Sequence, residues 1–264
     1  IDPQAVEVTK LSLLLKVLEG ESDQSLTSQF ILFHQRALPD LGANIKCGNS
    51  LIGSDFYRNQ QLSFMDEEER LRINVFDWDK EFPKIFSGAN PGFDAVIGNP
   101  PWGALLSELE LEYLRQNNRQ IIVRMIDSFM YFVHQGSRKI RFAGFFGMIL
   151  PDVILYQRDN EKLRRFILDR FEVHSVLNMG DVFERVTRPA CILVFKKSEP
   201  SKNILKIAHF TDVTKADKPD ELKNQARYHH ILQATFSAVP GAMFVTTNIS
   251  NYSIWQKVSY MPHQ

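Results

Sequence analysis

The sequence has few cysteines, no excess of either charge and no long hydrophobic run. Only Cys47 and Cys191 are present among 264 residues, which argues against a disulfide framework and favours a cytosolic home. Lys and Arg together number 31, as do Asp and Glu, so no basic excess indicates nucleic acid, although a local patch or a separate domain can supply phosphate contacts. No apolar run reaches the roughly 20 residues that cross a membrane.

What is present is a regular alternation of amphipathic and continuously apolar stretches. In the first of these, Ala5, Val8, Leu11, Leu15 and Leu18 recur at the three- and four-residue spacing of a helix. The same kind of reading predicts further helices over residues 30–38, 76–86, 105–117, 121–138 and 160–170.

Apolar runs between these helices predict strands over residues 93–98, 142–151, 172–180 and 190–197. Residues 142–151 show no polar alternation, which is typical of a strand covered on both faces. Only about nine residues join the last two strands, too few for a crossover helix, so that pair should be antiparallel. The fold class predicted is therefore α/β, with a mostly parallel sheet and an antiparallel last strand. Residues 44–53 are also predicted to form a short strand into a turn, and residues 202–210 a strand leading out of the sheet.

The first strand of this set ends abruptly in Asn99, Pro100, Pro101 and Trp102. Prolines stop the hydrogen-bonded ladder and fix the backbone, so this turn can hold an amide and a large ring still at the edge of a sheet. In open α/β sheets ligands bind at the carboxyl ends of strands. Residues 1–2, 48–50 and 180–188 are predicted to reach the same edge, although each alone is also compatible with a simple cap or a packing role.

The ordered stretches "IDPQAVEVTKLSLLL", "NIKCGNSLIG", "FDAVIGNPPWG", "FFGMILPDVILYQ" and "GDVFERVTRPACILVF" cover most of residues 1–200. In this order they resemble the N6-adenine DNA methyltransferases, in particular the γ-class, or type IIG restriction–modification, family. The resemblance implies a Rossmann-like fold that uses S-adenosylmethionine. It also implies a double-stranded DNA partner with a flipped adenine, a bacterial or archaeal cytoplasm, no metal, no membrane, and separate or fused restriction and specificity domains.

The resemblance also implies roles for the turn. Asn99 and the Pro100 carbonyl would accept hydrogen bonds from the amino group of the target base, with Pro101 holding the turn rigid. Trp102 would stack on the flipped base from one side, and Phe183 matches the second stacking aromatic of the family. An exocyclic amine is a poor nucleophile, and two fixed acceptors can stabilise the charge that develops on it during methyl transfer.

Cofactor-binding positions are implied at Ile1, Asp2, Asn49 and Ser50. Ile1 matches the apolar residue that packs on the cofactor adenine. Asn49 stands where the family usually has Asp, and its amide oxygen can accept the same bond from the adenine amino group. The first strand of the family and its glycine-containing loop would precede Ile1, so the chain by itself is expected to bind the cofactor weakly and to be inactive.

Residues 1–200 are predicted to form the catalytic domain, and residues 201–264 a linker or the start of a target-recognition region. Two further interpretations stay open from sequence. One keeps the methyltransferase chemistry but acts on RNA or a protein glutamine. The other is a non-catalytic DNA-binding or scaffold segment with a methyltransferase fold. A cytosine amino group could also use the same acceptors.

Overall fold

A computed structural model of the chain describes residues 3–19, 41–59, 67–184, 188–200 and 202–246. The chain divides into two compact units, with the boundary after Pro83. In the described part, no helix combines the length and the apolar character needed to cross a membrane. Both cysteines are free.

The described part of the first unit contains three helices: α1 (Pro3–Leu18), α2 (Glu67–Ile73) and α3 (Trp78–Glu81). A short 3-10 helix covers Ser54–Asn59. The predicted first helix is confirmed, although Val8, Leu11 and Leu15 on it are more than half exposed. The predicted helix over residues 30–38 lies outside the described residues.

Residues 44–53 of this unit do not form the short strand that their sequence predicts. They form a turn with one isolated bridge between Asn49 and Val75. Gly48 lies directly against the Phe76 ring, where an added Cβ would come within 2.4 Å of a ring carbon. The turn is therefore shaped by packing on an aromatic side chain rather than by a ladder.

The second unit is built around six strands: β1 (Phe93–Gly98), β2 (Ile140–Pro151), β3 (Glu172–Gly180), β4 (Ala190–Lys196), β5 (Ile204–His209) and β6 (His229–Leu232). The order across the sheet is β1-β2-β4-β3-β5-β6. Pairs β1/β2 and β3/β5 are parallel, whereas β4 is antiparallel to both β2 and β3, and β6 is antiparallel to β5. The predicted mixed α/β sheet with an antiparallel β3/β4 pair is confirmed.

Within the described ranges, seven helices accompany these strands: α4 (Pro83–Phe86), α5 (Glu108–Asn117), α6 (Ser128–Lys139), α7 (Val153–Tyr156), α8 (Glu161–Arg170), α9 (Lys218–Glu221) and α10 (Gln233–Ala238). Short 3-10 helices cover Arg119–Ile121, Arg158–Asn160, Gln225–Arg227 and Pro240–Ala242. Helix α6 begins later than predicted, because the Asp127 side chain accepts a hydrogen bond from the Phe129 amide and caps the helix there.

Aromatic stacking across the sheet forms much of the core. The rings of Phe146 on β2 and Phe195 on β4 stack at 4.4 Å between centroids, and Phe171 packs on Phe195 at 4.6 Å. The prediction that β2 is covered on both faces is wrong at its beginning, where Phe142 is 60% and Phe145 41% exposed. The apolar run of β2 therefore contains both buried and exposed aromatic residues, which its sequence does not distinguish.

The sheet continues past residue 200. The stretch predicted as a strand leading out is β5, which pairs with β3, and β6 pairs with β5 in turn. The role of residues 201–264 as a linker or recognition region stays a prediction, but residues 204–232 share the sheet that carries the candidate site.

Candidate active site

Four parallel strands place their carboxyl ends on one edge of the second unit. These are β1, β2, β3 and β5, and the edge where they end is the ligand-binding edge of an open α/β sheet. The residues that follow them are Asn99 to Trp102, Asp152, Asp181 to Phe183, and Thr211. Of the predicted site residues, Asn99, Pro100, Pro101, Trp102 and Phe183 all lie on this edge.

The turn after β1 is fixed by the first residues of helix α6. The Ser128 hydroxyl donates to the Pro101 carbonyl at 2.7 Å and accepts from the Ala104 amide at 3.0 Å. The Asp127 carboxylate accepts from the Gly103 amide at 2.8 Å. Gly103 has a φ of 74°, a conformation that a residue without a Cβ adopts readily. A helix N-terminus therefore sets the path of the turn.

Asn99 is the first residue of this fixed turn. The residue is exposed, whereas Pro100 beside it is buried. Its side-chain amide makes no hydrogen bond to any residue in the described ranges, and the Pro100 carbonyl likewise accepts none there. Two oxygen acceptors on a braced turn therefore have no hydrogen-bond partner among the residues that the structure describes.

Trp102 is half-buried and connects the turn to the core. It packs against a cluster formed by Leu177, Met179, Ala190, Ala208 and Phe210. Its ring meets the Phe183 ring edge to face, with 5.9 Å between centroids and 68° between planes. The indole Nε1 is buried and has no acceptor among the residues the structure describes. A buried donor without a partner costs free energy, so this arrangement carries a local penalty.

The loop after β3 holds Phe183 opposite this ring. It begins at Gly180, whose φ is 59° and whose added Cβ would come within 3.1 Å of the Thr211 Cα. Two lysines from beyond β5 bind the loop: Lys218 Nζ donates to the Asp181 carbonyl and Lys215 Nζ to the Phe183 carbonyl. The loop is therefore supported from a part of the chain more than thirty residues away.

A buried carboxylate, Asp152, follows β2 on the same edge. Its side chain accepts a hydrogen bond from the Tyr156 hydroxyl at 3.2 Å, and its amide donates to the Pro189 carbonyl at 3.0 Å. Burial raises the pKa of Asp152 above its usual value, while the bond from Tyr156 acts in the opposite direction. Nearby, Arg188 pairs with Asp127 at 3.6 Å, which adds a charge contact to the brace of the turn.

The structure describes two of the four predicted cofactor residues. Ile1 and Asp2 lie outside the described residues, and Asn49 and Ser50 lie in the first unit. The Asn49 side-chain oxygen accepts from the Leu51 amide at 3.1 Å, and the Ser50 carbonyl accepts from the Trp78 indole at 3.1 Å. Asn49 thus caps its own turn, and its amide oxygen keeps a second lone pair. The cofactor roles of these four residues stay predictions.

Sequence reasoning missed the residues that support the site. Asp127 and Ser128 carried a usable signal, because Asp and Ser before an aromatic run mark a helix N-terminus. Lys215 and Lys218 carried none, since lysines in a polar stretch normally face solvent.

Comparisons with known proteins bear on the same residues. The family model described as "Eco57I restriction-modification methylase" matches residues 1–183. The type II restriction enzyme and methyltransferase RM.Eco57I of Escherichia coli is 27% identical over 203 residues, 74% of this chain and 18% of that protein. The type II methyltransferase M.HincII of Haemophilus influenzae is 29% identical over 126 residues, 46% of this chain and 25% of that protein. The chain thus spans a quarter or less of the length of these relatives.

Among solved structures, the type I restriction–modification methyltransferase subunit from Streptococcus thermophilus aligns with a TM-score of 0.47 at 15% identity. The alignment covers 58% of this chain and 37% of that chain. The family match, by contrast, covers well over half of the sequence and includes Asn99 to Trp102 and Phe183. The chain therefore belongs to the Eco57I restriction-modification methylase family.

Proposed function

We propose that the protein methylates the N6 amino group of adenine in double-stranded DNA, using S-adenosylmethionine, as the modification activity of a bacterial or archaeal restriction–modification system. The observation that carries the proposal is the braced turn after β1, which presents the Asn99 amide and the Pro100 carbonyl without partners in the described ranges. Restriction and target specificity would be supplied by other domains or proteins.

Methyl transfer to adenine requires that the exocyclic amine be held in one orientation. The lone pair of an exocyclic adenine amine is delocalised into the ring, so the amine attacks poorly. Asn99 Oδ1 and the Pro100 oxygen would each accept one N–H, draw the nitrogen toward tetrahedral geometry and stabilise the positive charge that grows on it. Because the turn is fixed before the base arrives, little reorganisation is needed at the moment of reaction.

The residues proposed for the cofactor fit it in part. The free lone pair of Asn49 Oδ1 can accept from the cofactor's adenine amino group. Ile1, Asp2 and Ser50 would complete the pocket around the adenosine. When bound, S-adenosylmethionine supplies an electrophilic methyl group on a sulfonium. Asn99 and Pro100 would hold the amine in the single orientation that this transfer requires.

The aromatic pair would receive the base once it leaves the duplex stack. A base held between two ring faces needs about 7 Å between those faces, twice the usual contact distance. Trp102 and Phe183 instead touch each other edge to face. We therefore propose that base entry parts the pair. The unpaired indole N–H of Trp102 supports this proposal, because leaving the closed arrangement would let that donor find an acceptor.

The test uses the complete reading frame that contains this sequence, expressed in a host without adenine methylases. Total DNA is digested to nucleosides and measured by mass spectrometry for wild type, Asn99→Ala and the control Asn117→Ala, which removes an exposed amide from α5. We expect N6-methyladenine in wild type and Asn117→Ala, and a loss of at least about a hundredfold in Asn99→Ala, since the amide acts on the transition state.

The same digest separates the alternatives. N4-methylcytosine in place of N6-methyladenine would keep the turn chemistry but change the base. Absence of both modified nucleosides, with soluble protein present, would contradict DNA methylation and favour the scaffold interpretation or another methyl acceptor.

A further inference from the structure

We propose that Lys215 and Lys218 are positioning residues for the proposed methyl transfer, because they hold the backbone of the loop that carries Phe183, so that its ring can receive a base once the contact with Trp102 opens. The inference rests on the proposed function for its catalytic consequence. It gives residues 211–228, which lie beyond the predicted catalytic domain, a direct part in shaping the site.

The contacts of the two ammonium groups carry the proposal. Lys218 is only 6% exposed, and its Nζ donates to the Asp181 carbonyl at 2.6 Å. Lys215 Nζ donates to the Phe183 carbonyl at 2.7 Å. Both lysines therefore bind the backbone of the loop, on either side of Val182. Bonds to carbonyls fix the path of the chain, and with it the direction in which the Phe183 ring leaves the backbone.

Burying the Lys218 ammonium has a cost that its hydrogen bond must offset. Burial lowers the pKa of Lys218, and the Asp181 charge acts in the opposite direction. Lysines are almost never buried without a partner, and a lysine that only aids solubility would be exposed. The placement thus indicates a structural task directed at the loop.

The segment that carries the lysines is itself firmly held, so it can act as a support. Leu222 and Tyr228 pack against the same cluster as Trp102 and Val182. The Tyr228 hydroxyl donates to the Leu222 carbonyl at 2.7 Å, and Arg227 pairs with Asp212 at 3.2 Å and also with Glu221. The turn, the loop and the lysine segment therefore share one patch of core.

The geometry points to a definite consequence for the aromatic pair. Phe183 meets Trp102 through a ring contact of 5.9 Å, and the carbonyl of the same residue is one of the two that are held. Without the lysines the loop would keep its ends in β3 and β4 but lose the two bonds that hold its backbone at Asp181 and Phe183. Phe183 would then spend less time at the position from which it can stack on a base, and misplacement by about 1 Å can cost up to about a hundredfold in rate.

The experiment compares Lys218→Met, Lys215→Met and the control Lys223→Met in the full-length protein. Methionine keeps the length of the stem and removes the donor, and Lys223 is a 79% exposed lysine of the same segment. We expect hydrogen exchange at residues 181–184 to quicken at least about tenfold in Lys218→Met, with exchange in β3 and β4 unchanged. We expect kcat for methyl transfer to fall about ten- to a hundredfold with the KM for DNA within about threefold.

Each outcome decides the proposal. Exchange and kcat within about twofold of Lys223→Met would overturn it. If Lys218→Met fails to fold, Lys215→Met, which removes a donor from an exposed side chain, gives the same readouts with smaller changes. If wild type transfers no methyl group, the proposed function fails, and the exchange measurement alone still decides whether the lysines hold the loop.

Discussion

Ser128 has two hydrogen-bonding roles in the turn after β1. As a donor it satisfies the Pro101 carbonyl, and as an acceptor it satisfies the Ala104 amide, while it is also the first residue of α6. One hydroxyl thus ties the turn that carries Asn99 to a helix that packs under the sheet. Removing it leaves two backbone groups in a half-buried place without a partner.

We expect Ser128→Ala to destabilise the protein by about 1–2 kcal/mol and to lower methyl transfer about tenfold or more, because the turn loses its brace. Ser137→Ala is the matched control, since Ser137 is also buried on α6 but donates to the His134 carbonyl of its own helix. Urea unfolding and steady-state kinetics measure the two effects. Equal activity in both variants would show that Ser128 only packs.

The residue scale also shows where sequence reasoning ends. Asn99 and Trp102 were predictable because proline after a strand fixes what stands beside it, and the motif is contiguous. Lys218 was not, because its role depends on Asp181, which lies on a different loop. A contact between residues that are far apart in the sequence produces no pattern in the sequence around either residue.

Among the elements, helix α8 is joined to segments on both sides of it by Arg164. This side chain is fully buried and donates to the carbonyls of Ile154, Gln157 and Gly241 at 2.8 to 3.0 Å. Burial lowers the pKa of Arg164 to about 10, which leaves it charged at neutral pH. Arg164 therefore connects α8 to the 3-10 helix Pro240–Ala242.

We expect Arg164→Met to lower the free energy of unfolding by about 2–4 kcal/mol, because three carbonyls around a fully buried side chain lose a charged donor. Arg165→Met is the matched control: Arg165 is the next residue on α8, and its exposed pair with Glu161 at 2.9 Å should contribute less than about 1 kcal/mol. Urea denaturation followed by circular dichroism measures both. A loss of under about 0.5 kcal/mol in Arg164→Met would contradict this role.

Element boundaries were predictable where a local signal marks them. β3 begins and ends as predicted, because Gly180 closes its apolar run. α6 was predicted to begin at residue 121 because apolar residues continue upstream, yet the Asp127 cap decides where the helix starts. β5 was read as a strand, but its place beside β3 depends on pairing that no periodicity encodes.

Across the whole molecule, the end of the sheet opposite the candidate site holds a buried histidine. His134 lines a cavity of about 770 Å³ together with Arg138 and Arg170. Its Nδ1 lies 2.7 Å from the Asn118 Oδ1, while the Asn118 amide nitrogen donates to the Leu114 carbonyl. Nδ1 therefore carries the proton of a neutral ring. Burial lowers the pKa of His134 to about 4, and the two arginine charges add to the shift.

This shift makes stability depend on pH. An unfolded histidine binds a proton below about pH 6.5, whereas folded His134 resists it until about pH 4. The unfolded state thus binds more protons in this window, so the free energy of unfolding should fall as pH decreases from about 6.5 to 4, with no further loss from this group below that. The one-proton limit is about 1.4 kcal/mol per pH unit.

We expect His134→Gln to flatten this slope in urea denaturation measured between pH 7 and pH 4.5. His230→Gln, which removes an exposed histidine, is the control for loss of one imidazole. An unchanged slope in His134→Gln would mean that other groups account for the acid sensitivity.

The central position of β4 in the sheet affects which insertions the protein can accept during evolution. The Phe183 loop leaves the sheet from β3 and returns through β4, which is paired on both sides, so its two ends stay fixed whatever lies between them. Lengthening a loop with fixed ends costs little, about 0.6 kcal/mol for each doubling. Under the proposed function, insertions between residues 184 and 188 could therefore remodel the surface offered to DNA while the proposed acceptors at Asn99 and Pro100 stay in place. One lineage could vary its target without rebuilding its chemistry.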